Sequence, residues 1–228
     1  MSRVLQAVIF DMDGLLIDSE PLWYEVEGAV MARLGNTWSP EQQVLLLGGS
    51  MQNTVDYLLS QADPAVLSAA RPAVTPAVVE GWLVAEMLQR IARGVPMRPG
   101  ALELLDAVAA AGIPAGLVSS SYRVLIDAVL DVLGAGRFDV SVAGDEVTRP
   151  KPHPEAYLRG ASLLRVQPRD AVVLEDSDSG TRAAVAAGFV TVCVPSVAVI
   201  PAGPGRVLRD SLVGITVDWL AGLLPLAA

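Results

Sequence analysis

Asp11 and Asp13 stand two residues apart, directly behind the apolar run Ala7-Val8-Ile9-Phe10 and directly before Gly14. A buried strand giving way to a glycine turn has no packing use for two carboxylates, because each must give up water to sit there. Metal and phosphate chemistry does have a use for them: one carboxylate attacks or ligates while the other moves a proton. Three more polar clusters lie behind apolar runs or in the loops beyond them: Ser119-Ser120-Ser121, Lys151 within Lys151-Pro152-His153-Pro154, and Glu175-Asp176. Lys151 stands out because the chain holds fifteen arginines and this one lysine. Oxygens from Asp11, Asp176 and Glu175, with the Asp13 backbone carbonyl, suit a hard divalent cation, and magnesium is the natural choice. The Ser119 hydroxyl and the N–H groups at Ser119 and Ser120 suit phosphate oxygens, and Lys151 would offset the crowded negative charge.

These clusters need a scaffold that brings distant segments to one edge. Continuous apolar, β-rich runs occur at residues 4–10, 114–118, 171–174 and 190–194, with a weaker one at 138–143. They do not alternate with polar residues, which is the pattern of strands covered on both faces in a parallel sheet. Between them, residues 99–111, 123–133, 154–164 and 179–187 carry apolar residues at helical spacing, with Gly134 and Gly188 placed to end two of these helices. Helices therefore connect the strands, and the strand ends of such an α/β sheet converge on one crevice. From about Leu15 to Val95 strand-like runs vanish and helical segments follow one another. Ser19 with Pro21, and Thr75 with Pro76, are expected helix starts, and shorter helices are expected at 40–47 and 52–61. The apolar stretch 213–228 is interrupted by Asp218 and Pro225 and reads as a docked helix.

Composition narrows the function classes. With 52% hydrophobic residues in 228, a sizeable core is available, and a net charge of -9 without any Lys/Arg block argues against nucleic-acid or anionic-membrane surfaces. Small anionic substrates remain open, held locally through a metal. The lone Cys193 lies in an apolar run and has no internal partner, which suits a reducing compartment. Asp11 and Asp13 interrupt the first apolar stretch before a secretory core reaches length, so no signal peptide is expected and the cytoplasm is the expected location.

In order and context, the four clusters resemble the motifs of the haloacid dehalogenase superfamily, in its β-phosphoglucomutase-like phosphatase subgroup. The resemblant stretches are Asp11-Met12-Asp13-Gly14, Ser119, Lys151 in its proline-rich run, and Glu175-Asp176-Ser177 with Gly180. The resemblance covers essentially the whole chain and implies a Rossmann-like parallel-sheet core from residues 1–15 and 96–228, with a helical cap inserted at 16–95 and hinges near 15–18 and 92–98. It implies a magnesium-dependent phosphatase acting as a monomer on small phosphorylated metabolites. Asp11 would be the nucleophile forming an aspartyl phosphate, and Asp13 would protonate the leaving group and then activate water. Ser119 and Lys151 would steady the phosphoryl group, with Gly14 and Ser120 beside it. Asp11, the Asp13 carbonyl, Asp176 and Glu175 would organise magnesium.

Two departures weigh against the mutases of the same subgroup. Their Gly-x-Ser element is commonly followed by an arginine that grips a second phosphate, whereas Gly48-Gly49-Ser50 is followed by Met51. Trp23 stands where mutases often carry a histidine. Hydrolysis is therefore expected, with sugar-phosphate isomerisation as the alternative should Arg90 replace the missing cation. A noncatalytic receiver-like domain would place its phosphorylated aspartate after a later strand, and a dehalogenase would need neither Asp13 nor a metal. Ser121 reads as the cap of the following helix, His153 as a loop residue, and Trp23, Trp82 and Met87 as helical core.

Overall fold

A computed structural model describes residues 4–225 except Gly48 and Ala198. Two compact units are formed, one from Met1–Asp18 with Pro96–Ala228 and the other from Ser19–Val95.

The first unit is built on a six-stranded sheet whose strands are β1 (Ala7–Phe10), β2 (Ala115–Val118), β3 (Val140–Val142), β4 (Ala171–Glu175), β5 (Val190–Cys193) and β6 (Arg206–Leu208). Their order is β3-β2-β1-β4-β5-β6, and every pairing is parallel. Central strands β1, β2 and β4 are buried at every position, as their unbroken apolar sequences require of a sheet with two covered faces. Helices α6 (Ala101–Ala110), α7 (Arg123–Leu133), α8 (Glu155–Leu164) and α9 (Asp178–Ala186) make the crossovers. The first strand is shorter than expected, since Val4 is exposed and pairing starts at Ala7. Strand β6 was not foreseen: Arg206-Val207-Leu208 is too short for a periodicity signal and is recruited at the sheet edge by pairing with Thr191-Val192-Cys193. The C-terminal apolar stretch contains only the short α10 (Val217–Gly222), capped by the Thr216 side chain, and Leu226, Ala227 and Ala228 lie outside the described residues. Residues 16–18, grouped above with the helical insert, belong to this first unit. Ile17 bridges both Asp13 and Met97, and the Gly14 N–H donates to the Ile17 carbonyl.

The second unit comprises α1 (Glu20–Arg33), α2 (Pro40–Val44), α3 (Met51–Ser60), α4 (Pro64–Ala69) and α5 (Pro76–Ile91). Its core is made by Val26, Val30 and Met31 of α1, Val55 and Leu58 of α3, and Val79, Leu83, Met87 and Ile91 of α5. The side chains of Thr75, Asp63, Ser50 and Ser39 each accept a first-turn N–H at the start of a helix. Ser19 does not cap α1 as expected. Its backbone is already helical (φ -85°, ψ -14°), which turns the hydroxyl away from the free N–H groups and leaves its oxygen buried without a hydrogen-bond partner. Gly48 of the Gly-Gly-Ser element lies outside the described residues, while Ser50 caps α3 and Met51 opens it. No helix among the described residues is long and apolar enough to cross a membrane.

Candidate active site

Three adjacent strands of the first unit end in the polar residues singled out above. Strand β1 runs into Asp11, β2 into Ser119, and β4 ends at Glu175 with Asp176 next. Since β1 lies between β2 and β4, parallel pairing brings all three ends to the same edge of the sheet.

Lys151 reaches this edge from the loop between β3 and α8. Its ammonium lies 2.6 Å from Asp11 Oδ1, 2.7 Å from Glu175 Oε1, 3.1 Å from the Val118 carbonyl and 3.1 Å from the Tyr157 hydroxyl. Both carboxylates and the ammonium are almost wholly removed from water. Burial alone would lower the Lys151 pKa, but Asp11 and Glu175 outweigh it and hold the group above the ordinary lysine range, so it stays charged. Asp11 moves the other way. Burial, with the negative charges of Glu175, Asp176 and Asp13, raises it well above an ordinary aspartate despite Lys151.

Glu175 is held by more donors than any other carboxylate of the cluster. Oε1 accepts from Lys151 and from the Tyr157 hydroxyl at 2.7 Å, and Oε2 accepts from the Asp176 N–H, the Ser177 N–H and the Ser177 hydroxyl, each at 3.0 Å. These hydrogen bonds and Lys151 overcome burial and keep its pKa below the ordinary glutamate value. The carboxylate fits because residue 180 is glycine: a Cβ there would lie 1.5 Å from Glu175 Oε1. Asp176 is raised to about 8, first by burial and then by Glu175, although a 2.6 Å hydrogen bond from the Ser196 hydroxyl opposes the rise. Gly14 makes the matching space on the other side. Its φ of +77° favours glycine, and a Cβ would lie 2.1 Å from Asp176 Oδ2.

Asp13 is half-buried, and its Oδ2 accepts the Ser119 hydroxyl at 3.0 Å and the Ser121 hydroxyl at 2.8 Å. Ser121 is thus not the cap of α7. The helix begins one residue later, with Tyr122 at the N-cap; the Ser121 hydroxyl is committed to Asp13, and the Asp145 carboxylate accepts the Arg123 N–H at 2.9 Å instead. The Ser119 N–H, expected above to suit a phosphate oxygen, is committed to the Val142 carbonyl in the β2–β3 pairing. Ser120 is exposed beside it. His153 sits in the loop as expected, its Nδ1 accepting the Glu155 N–H at 3.2 Å.

One oxygen each from Asp11, Glu175 and Asp176 lie within 4.8 Å of one another, and all three residues are buried. The negative charge of Asp13 also acts on Asp11 and Asp176, while the Lys151 ammonium contacts Asp11 and Glu175. The three carboxylates offer hard oxygen donors, and the burial and crowded negative charge that raise Asp11 and Asp176 are what a divalent cation would relieve, so the donor set fits magnesium.

Sequence reasoning missed three residues that shape this site. Tyr157 carried a faint signal, a lone aromatic among Ala156, Gly160 and Ala161 on one helix face. Gly160 allows α8 to approach the sheet so closely that a Cβ would lie 3.1 Å from Val118 Cγ2. For Ser196 and for the Ser121 link to Asp13 the chain offers no local signal.

The haloacid dehalogenase-like hydrolase family model matches residues 5–188. Hexitol phosphatase B of Escherichia coli K12 is 35% identical over 199 residues, covering 85% of either chain. The crystal structure of CbbY from Rhodobacter sphaeroides in complex with phosphate superposes with a TM-score of 0.84 at 28% identity, covering 95% of this chain and 99% of that one. A putative β-phosphoglucomutase from Thermotoga maritima gives 0.71 at 28% identity, covering 91% and 94%. The matched span contains every strand end and loop that contributes to the acid and lysine cluster, and the chain accordingly belongs to the haloacid dehalogenase-like hydrolases as an enzyme of that family.

Proposed function

We propose that the protein is a magnesium-dependent phosphatase that hydrolyses small phosphorylated sugars or polyols through phospho-Asp11. The observation that carries this reading is the contrast between two carboxylates two residues apart. Asp11 is buried against the Lys151 ammonium at 2.6 Å, whereas Asp13 is half-buried and held by two serine hydroxyls. The phosphatase names of similar chains support the reaction class, and hexitol phosphatase B supports the substrate class.

An aspartate repels a phosphate dianion until positive charge offsets it. Lys151 supplies part of that charge. Asp11, Asp176 and the Asp13 carbonyl would hold magnesium, with Glu175 at the margin because its oxygens already accept five hydrogen bonds. The metal would supply further positive charge beside the phosphoryl oxygens. An Asp11 oxygen attacks phosphorus, the bond from phosphorus to the leaving oxygen breaks, and that oxygen takes a proton from Asp13. The ionised Asp13 then takes a proton from water. The water oxygen attacks phosphorus, the bond from phosphorus to Asp11 breaks, and inorganic phosphate leaves with the Asp11 carboxylate restored. Lys151 and the Ser119 hydroxyl meet charge on the equatorial oxygens. To do so Ser119 exchanges its hydrogen bond to Asp13 for one to the substrate, while the Ser121 hydroxyl continues to hold Asp13 Oδ2.

We assign selection of the leaving group to the helical unit and place the enzyme, as a monomer, in a reducing cytoplasm that suits the buried Cys193 thiol. Asp11→Asn preserves shape but removes the nucleophile. Activity should fall by roughly 10²- to 10⁴-fold or more, and chelation should abolish turnover until magnesium is restored. Wild-type rates from Asp11→Asn, or full activity without metal, would refute the mechanism. The mutase alternative has some support from the similar structure named a putative β-phosphoglucomutase. Against it, Met51 lacks a charge, and Arg90 is already bound to Glu86 at 2.8 Å and Glu25 at 3.2 Å. With β-glucose 1-phosphate and a bisphosphate activator, free phosphate should accumulate faster than glucose 6-phosphate. The reverse product ratio would establish the mutase.

A further inference from the structure

We propose that Tyr157 is a positioning residue whose hydroxyl keeps the Lys151 ammonium on Asp11 by satisfying the competing carboxylate, Glu175. The proposal rests on the reading of Asp11 and Lys151 as the nucleophile and its partner. Lys151 has three N–H bonds and four oxygens within reach, two of them carboxylate oxygens at nearly equal distance, Asp11 Oδ1 at 2.6 Å and Glu175 Oε1 at 2.7 Å. An ammonium between two carboxylates is drawn toward the one with fewer other donors. Tyr157 decides that balance: its hydroxyl donates to the same Glu175 Oε1 at 2.7 Å, and three further donors occupy Oε2.

The hydroxyl has no alternative role in solvent, because Tyr157 is 0% exposed. Its ring is fixed from two sides, by the edge contact with Phe189 at 6.3 Å between centroids and by the ammonium 4.7 Å from its own centroid. Gly160, one helical turn further on, sets the depth at which α8 carries it. Removing the hydroxyl alone leaves Lys151 as the sole donor to Glu175 Oε1 among the described hydrogen bonds. The ammonium then shifts toward Glu175, and Asp11 loses the charge that makes it usable against a phosphate dianion.

The single lysine makes this directly measurable, since protein labelled with ¹⁵N-lysine gives one side-chain resonance. In the wild type, with magnesium present, the ammonium protons should exchange slowly with water and show nuclear Overhauser contacts to the Tyr157 ring. In Tyr157→Phe the resonance should move and exchange faster, with kcat reduced roughly tenfold and KM changed by less than about threefold, the scale of one redistributed charged hydrogen bond. Ser177→Ala is the comparator. It removes a donor from Glu175 Oε2 and the cap of α9, so it should lower stability while displacing the lysine resonance less than Tyr157→Phe does, because Oε2 keeps two backbone N–H donors and Oε1, the oxygen that meets Lys151, keeps the Tyr157 hydroxyl. An unshifted resonance in Tyr157→Phe, an undiminished kcat, or an equal displacement in Ser177→Ala overturns the proposal. So does a wild-type lysine resonance like that of free lysine, which needs no variant to fold. A wild type that hydrolyses no phosphomonoester would instead refute the phosphatase reading and leave the resonance measurement standing.

Discussion

Gly180→Ala sets two effects against each other, and their magnitudes predict the outcome. Gly180 lies in the first turn of α9, where alanine is the better helix former by about 1 kcal/mol. The added Cβ, however, would lie 1.5 Å from Glu175 Oε1 and 2.1 Å from its Cδ, far inside any contact distance. The space cannot be recovered by a flexible tip, because Glu175 is 0% exposed and anchored by five hydrogen bonds. Displacing the carboxylate breaks a buried ion pair and strands its donors, a loss of about 3–5 kcal/mol. Subtracting the helix gain leaves a net destabilisation of about 2–4 kcal/mol. Urea unfolding followed by far-UV circular dichroism measures this as a lower midpoint at similar slope. A midpoint equal to or above that of the wild type would show that Glu175 is not confined as described and would remove the basis for its hold on Lys151.

Glu27, in α1, is buried with Oε2 unpartnered, and burial followed by the charge of Glu20 raises its pKa from 4.5 to about 8. The folded protein therefore holds a proton that the unfolded chain releases, and stability falls as pH rises from about 4.5 to 8 and then levels off. Glu27→Gln should unfold like the wild type at pH near 4 and be about 2–4 kcal/mol more stable above pH 8, as read by thermal unfolding across pH, and equal stability at high pH would refute the assignment. Ser196→Ala removes the 2.6 Å hydrogen bond that orients Asp176. The magnesium concentration for half-maximal activity should rise about tenfold, checked independently by calorimetry, and an unchanged requirement would separate Ser196 from the metal site.

Local sequence determined a good deal. Short, β-branched apolar runs bounded by turn residues match inner strands, so the parallel α/β core and the acids at the ends of β1 and β4 followed from short windows. Thr75 and Pro76 marked the start of α5 because a cap acts within its own turn. The same rule misled at Ser19 and Ser121, where the hydroxyl's position depends on backbone angle or on a carboxylate 108 residues away. The edge strand β6 and the partnerships of Lys151 with Asp11, Tyr157 with Glu175, and Ser196 with Asp176 were decided only by the fold. Strand identity is a property of neighbouring residues, but the division of one ammonium between two carboxylates depends on distances of a few tenths of an ångström. Those distances are set by how closely Gly160 lets a helix approach and by the space Gly14 and Gly180 leave open.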